Sequence, residues 1–234
     1  VWAVARQDGR WSPWRTGAFL VGAGVLGLGV AGPVAEAAAD FRGHMVQHLL
    51  IGMFAPLGLV LGAPVTLLLR SVPVGVGRRV GGVVRSRVCH LLANPWTALV
   101  LSVGGMVVLY CTPLYRVVSG SAVLHHLVHL HFLLAGYLYA WVIAGPDPAP
   151  RRPGVPHRLV VLGVAVAVHA SLSQLMYAGL LVDVPAPPEQ RRGAAELMYY
   201  GGDVAELLLA FALVATWRPV RRPGLGGKAG VVGR

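Results

Sequence analysis

Six stretches of this chain are long and apolar enough to cross a bilayer, and nothing else in it restricts the fold so much. Crossing about 30 Å of hydrocarbon takes roughly 20 residues of helix. Thr16–Val34, His44–Leu69, Leu92–Tyr110, Ala122–Ala144, His157–Val182 and Ala194–Trp217 meet that length. In lipid a backbone must satisfy its own polar groups, so stretches of this kind fold as helices. The expected fold is all-α: a polytopic transmembrane bundle with six spans over residues 16–217. Residues 1–15 then form a cytoplasmic N-terminal segment, and residues 218–234 a basic cytoplasmic tail. Val1-Trp2-Ala3-Val4-Ala5, followed by Arg6, reads as the end of a seventh, N-terminal span. No signal-peptide pattern lies near the start. Composition points the same way: 56% of residues are hydrophobic and only 12% charged, about half the charge of a soluble domain. So little charge argues against a soluble enzyme, and so much apolar surface against a disordered chain.

The formal charge of +11 would suggest nucleic acid in a soluble protein, but here it sorts by connecting segment. Arg6, Arg10 and Arg15 precede the first span. Arg70, Arg78, Arg79, Arg85 and Arg87 follow the second. Arg151, Arg152 and Arg158 follow the fourth, and Arg218, Arg221, Arg222, Lys228 and Arg234 the sixth. The opposite segments hold only Arg42, Arg116, Arg191 and Arg192, together with Glu36, Asp40, Asp183 and Glu189. Basic residues concentrate in cytoplasmic loops, so both ends of the chain are expected inside. The excess charge records orientation, with lipid and not nucleic acid as the partner. Cys89 and Cys111 fall at opposite faces and cannot bridge within one chain.

Ionisable residues inside spans are costly and tend to mark function. His44 and His48 open the second span as an i, i+4 pair on one face. His125, His126, His129 and His131 crowd the start of the fourth. His169 lies near the middle of the fifth, and the sixth carries Asp203 and Glu206. With the second and fourth spans both running inward, His48 sits about 6 Å and His129 about 10 Å below their helix starts. His169 and Asp203 lie deeper, so these groups can converge in the outer half of one bundle. His126 reads as an interfacial residue, as do His90 and His157 at the inner edge. Glu206 reads as a partner of Arg192 or as facing water. The five methionines read as packing, with Met45 and Met176 deep enough to act as thioether ligands. On a regular helix His129 and His131 point to opposite faces, so both cannot hold one ion. Imidazole suits zinc, copper, iron or nickel, and nearby thioethers shift the preference toward Cu(I). Two alternatives stay open: haem held axially by His129 and His169, and an ion or proton carrier built on His169, Asp203 and Glu206. No nucleophile–base triad or phosphate loop is present.

FRGHMVQHLLIGMFAPLGLVLGAPVTLLLR resembles the signature of the CtaG family of multi-spanning cytochrome c oxidase assembly factors, associated with caa-type oxidases. HHLVHLHFLLAGYLYAWVIAGPDPAPRR is similar to that family's fourth-span block, and GGDVAELLLAFAL to its last-span segment. The likeness runs in order over roughly residues 10–217. It departs at Leu57, where members often have a second proline, and around Tyr199-Tyr200, where a tryptophan is expected. The resemblance implies a non-enzymatic, copper-handling assembly factor in the bacterial cytoplasmic membrane. Its partners would be cytochrome c oxidase subunits and an extracytoplasmic copper donor. Carried over, His44, His48, His125, His129, His131 and His169 match the family's histidines, and Asp203 its acidic position. The expected metal site is therefore His44, His48, His125 and His129, with His169 and Asp203 as deeper ligand and orienter.

Overall fold

The computed structural model describes residues 11–31, 34, 40–150 and 152–216, and every regular element among them is a helix. In chain order these are α1 (Pro13–Val30), α2 (Phe41–Leu61), α3 (Pro64–Ser71), α4 (Val74–Val84), α5 (Arg87–Leu92), α6 (Pro95–Cys111), α7 (Leu114–Ser119), α8 (Ala122–Ala144), α9 (Val155–Ala178) and α10 (Pro188–Ala215). The expected seventh span at residues 1–5 and the tail at 218–234 lie outside the described residues.

Four of the six expected spans, α2, α8, α9 and α10, have the length and apolarity to cross a membrane. The other two are shorter. Leu92–Tyr110 begins later than expected because Asn94 caps a fresh helix, its side chain accepting from the Trp96 N–H, with Pro95 in the first turn. That leaves α6 with about 25 Å of rise. α1 runs 18 residues and carries Arg15 near its start.

His44–Leu69 is not one span. Ala63 sits in the left-handed region (φ 52°), Pro64 disfavours a helical residue before it, and the chain turns out of α2 into α3. α9 likewise stops at Ala178 and not Val182. Gly179 takes φ 72°, and the Leu180 N–H returns to the Leu175 carbonyl at 2.9 Å, a glycine-based helix end.

Two helices contain a wide π turn, Leu50–Phe54 in α2 and Val100–Gly104 in α6. In α2 the Ala55 N–H reaches back to the Leu50 carbonyl, and Pro56 next to it has no N–H with which to restore the ordinary ladder. Close helix crossings rest on glycine. Gly22 of α1 and Gly58 of α2 touch backbone to backbone, and a Cβ on Gly58 would lie 2.7 Å from Gly22 Cα. Gly136 of α8 lies directly on the Gly52 carbonyl inside the π turn.

The bundle has two chemically different ends. At the arginine-rich end, Asp147 is 1% exposed and caps α3. It accepts from Val65 N–H (3.1 Å), Thr66 N–H (2.7 Å) and the Thr66 hydroxyl (2.6 Å). Arg152 donates to the Gly145, Trp141 and Asp147 carbonyls, and Arg158 to Ile143. The basic loop after α8 thus closes the last turn of that helix. At the opposite end Arg116 pairs with Asp183, the Asp183 N–H donates to the Tyr110 carbonyl (2.8 Å), and Arg42 donates to the Glu189 carbonyl (2.9 Å). Those links hold α2, α6, α7 and the α9–α10 connection together where the histidines open.

Candidate metal centre

The site is built from the first turns of two helices, α2 and α8, that start at the same end of the bundle and run the same way. Asp40 starts α2 by accepting from the Gly43 N–H (2.7 Å), and Ser121 starts α8 by accepting from Leu124. His44 therefore lies in the first turn of α2, and His125 and His129 in the first two turns of α8. The His125 and His129 rings are 4.3 Å apart between centroids, and His44 lies 5.7 Å from each. One ring nitrogen from each residue falls within 4.8 Å of the other two. Three imidazole nitrogens on one ion at about 2 Å sit roughly 3.3 Å apart, so a small inward turn of the rings closes the set.

Aromatic residues wall this trio. Phe41 stacks on His44, Tyr115 meets it edge-on at 5.2 Å, and the Tyr110 hydroxyl is 3.3 Å from His44 Nε2. The Tyr115 phenol, on the short α7 outside the membrane-length helices, is pushed up to about 12, first by burial and then by the Asp40 charge. A cleft of about 590 Å³ between α1, α2, α7 and α8 leads to the three histidines.

The other expected residues fall elsewhere. His48, one turn below His44, leaves the trio because the α8 position facing it is Phe132, its ring 4.6 Å away and edge-on. His48 instead lines a small inner cavity with His169, Tyr139 and Glu206. His169 is 2% exposed, and Glu206 Oε1 stands 3.4 Å from its Nδ1. Glu206 is 6% exposed, so it neither pairs with Arg192 nor faces water, contrary to expectation. Asp203, expected as the orienting acid of the site, makes no hydrogen bond or ion pair among the described residues. The difference is one of helix phase. Ala194, Met198, Gly202, Ala205, Glu206 and Leu209 form the buried stripe of α10; Glu206 is four residues after Gly202 and on that stripe, whereas Asp203 is about 100° off it. The signal was present as a run of small and apolar residues at three- and four-residue steps.

His131 points away from the trio, as helix geometry demands, and its Nε2 donates to the Leu101 carbonyl (3.1 Å) in the wide turn of α6. His126 is bonded to its own helix through the Ala122 carbonyl, and His90 through that of Ser86. His157 meets Trp96 edge-on. Met45 and Met176 are fully buried core residues, while Met53 and Met106 line the inner cavity. A His131→Leu variant should lose about 1 kcal/mol of stability through the lost hydrogen bond and keep the metal content of the parent chain, as read by elemental analysis beside a denaturation midpoint.

An all-helical bundle with membrane-length helices and three imidazoles converging at one end defines a polytopic membrane protein with a histidine centre. The family model for the cytochrome c oxidase caa3 assembly factor (Caa3_CtaG) matches residues 1–219, and the chain belongs to that family. It is 39% identical over 179 residues to uncharacterized proteins of Mycobacterium bovis and Mycobacterium tuberculosis. A further uncharacterized protein, from Mycobacterium leprae, is 35% identical over 175 residues. The alignments take in 71–72% of this chain but only 27% of each relative, so the chain spans about a quarter of the length of the relatives it matches. No solved structure matches it.

Proposed function

We propose that this protein takes up copper as cargo on His44, His125 and His129 and delivers it to a cytochrome c oxidase subunit during assembly, without catalysing a reaction. The observation that carries this reading is the convergence of three ring nitrogens from two helices within 4.8 Å, in a chain whose family assembles that oxidase. Three neutral imidazoles beside a wide cleft suit an ion that must be held and then released, because ligands can exchange through the open side. The positive-inside rule orients the arginine-rich end to the cytoplasm. The trio then faces outward in the bacterial plasma membrane, where an extracytoplasmic donor and the recipient subunit both have access.

The geometry argues against a haem clamped between His129 and His169. The cavity beside His169 holds only about 50 Å³, far less than a porphyrin, and His129 belongs to the outer trio.

The test is copper quantification on purified protein beside His44→Ala and His125→Ala variants. Each is expected to lose most of the copper that binds from the outer side. Equal copper in all three proteins would remove the trio from the transfer route. Absorption spectra of the same samples, taken after haem-replete expression, carry the competing reading: a Soret band would displace copper as the cargo.

A further inference from the structure

The trio does not account for the most unusual chemistry inside this bundle. Below it lies a small cavity between α2, α6, α8, α9 and α10, lined by His48, His169, Glu206, Tyr139, Met53 and Met106 among apolar side chains. Among the described residues, both ring nitrogens of His48 are without a partner, and so are His169 Nε2, Glu206 Oε2 and the Tyr139 hydroxyl. His48 is 3% exposed and His169 2%. Buried polar atoms are nearly always satisfied, so five orphans around one cavity mark a place where something binds.

The donor set indicates what. Glu206 at His169 Nδ1 favours the proton on that nitrogen and leaves Nε2 as a lone pair toward the cavity, the arrangement that carboxylates impose on metal-bound histidine. Two imidazoles with two thioethers prefer a soft ion. The local charge limits it further: one carboxylate in an apolar surround balances one positive charge, and a doubly charged ion would remain uncompensated. The cavity, about 50 Å³, takes one ion or a few waters.

We propose that this cavity is a second binding site, for Cu(I), ligated by His48 and His169 with thioether support from Met53 and Met106, and separate from the outer trio. It deepens the copper reading, on which it rests for the identity of the ion. His48 stands one turn below His44 on the same face of α2, so it is the natural step between the two sites. Gly202 is part of the construction, because a Cβ there would overlap the His169 ring and push it off the cavity.

The experiment is an anaerobic Cu(I) titration of the purified full chain against a chromophoric chelator, counting ions per chain. The parent protein is expected to bind two. The His44→Ala/His125→Ala double variant should keep one, and X-ray absorption of that sample should show copper–sulfur scattering. The scattering should disappear in the same background with Met53→Leu/Met106→Leu, a shape-conserving change. Glu206→Gln should weaken the inner site by roughly 10–100-fold, the usual cost of losing a carboxylate behind a ligating histidine, and leave the outer affinity unchanged.

One ion in the parent, lost in the outer double variant, would overturn the inner site and leave the trio standing. One ion that survives the outer double variant but not His169→Ala would support the inner site and sink the trio. An inner ion with no sulfur signal, in chains that elute as the parent does, would overturn the thioether part. No copper in any sample would overturn both, leaving the cavity to water.

Discussion

A Gly136→Ala variant is expected to lose about 2–3 kcal/mol of stability, the upper part of the range for overpacking, and to lose copper retention with it. Gly136 of α8 rests on the Gly52 carbonyl, and an added methyl would overlap that oxygen, with the Gly52 carbonyl carbon at 3.0 Å and the Pro56 ring at 3.2 Å. Two of these three neighbours are backbone atoms, so no rotamer change relieves the clash and α8 must move away from α2. Those helices carry all three ligands of the outer trio, and their separation would widen the nitrogen set. Gly163→Ala is the control. Its Cβ would meet nothing within 4 Å, and losing a helical glycine there is expected to stabilise by about 0.5–1 kcal/mol. Denaturation midpoints in detergent, with copper quantified on the same preparations, decide the matter; a Gly136→Ala chain as stable as its parent would break the proposed link between this crossing and the site.

The second large effect is expected at the other end. Asp147→Ala should cost about 3 kcal/mol, because it removes three hydrogen bonds from a buried carboxylate and leaves the Val65 and Thr66 N–H groups unpaired. Thr66→Val removes only the hydroxyl contact and should cost about 1 kcal/mol. Both variants should retain the parent's copper, since the trio lies at the far end of α2 and α8. Limited proteolysis between α2 and α6 would report the loosening directly. Equal protection of Asp147→Ala and the parent chain would show that the α3 cap does not depend on this carboxylate.

Much of this could be read along the chain. The apolar stretches marked the membrane-length helices α2, α8, α9 and α10, because length and hydropathy are local properties. The i, i+4 spacing of His125 and His129 put both on one face, and the opposite face of His131 followed from the same 100° step. Local rules also explain the misses in extent. Pro64 after Gly62-Ala63 is a stop signal inside an apolar run, and Asn94-Pro95 is a start signal inside another; hydropathy alone passes over both.

The division of the histidines was not local. His44 and His48 are equivalent by spacing, yet one joins His125 and His129 while the other turns to the cavity with His169. What separates them is the residue α8 presents to each, His129 at one level and Phe132 at the next. That is set by how α2 and α8 cross at Gly52 and Gly136. Asp203 and Glu206 differ in the same way: both are acidic and one turn apart, and only the face that α10 turns to α9 selects Glu206. By itself, the amino-acid sequence determined the class of protein, the four membrane-length helices and which residues had chemistry to offer, because hydropathy and helical period act over a few residues. Only the tertiary structure decided which of them share a site, because that depends on glycine-mediated contacts between helices far apart in the chain.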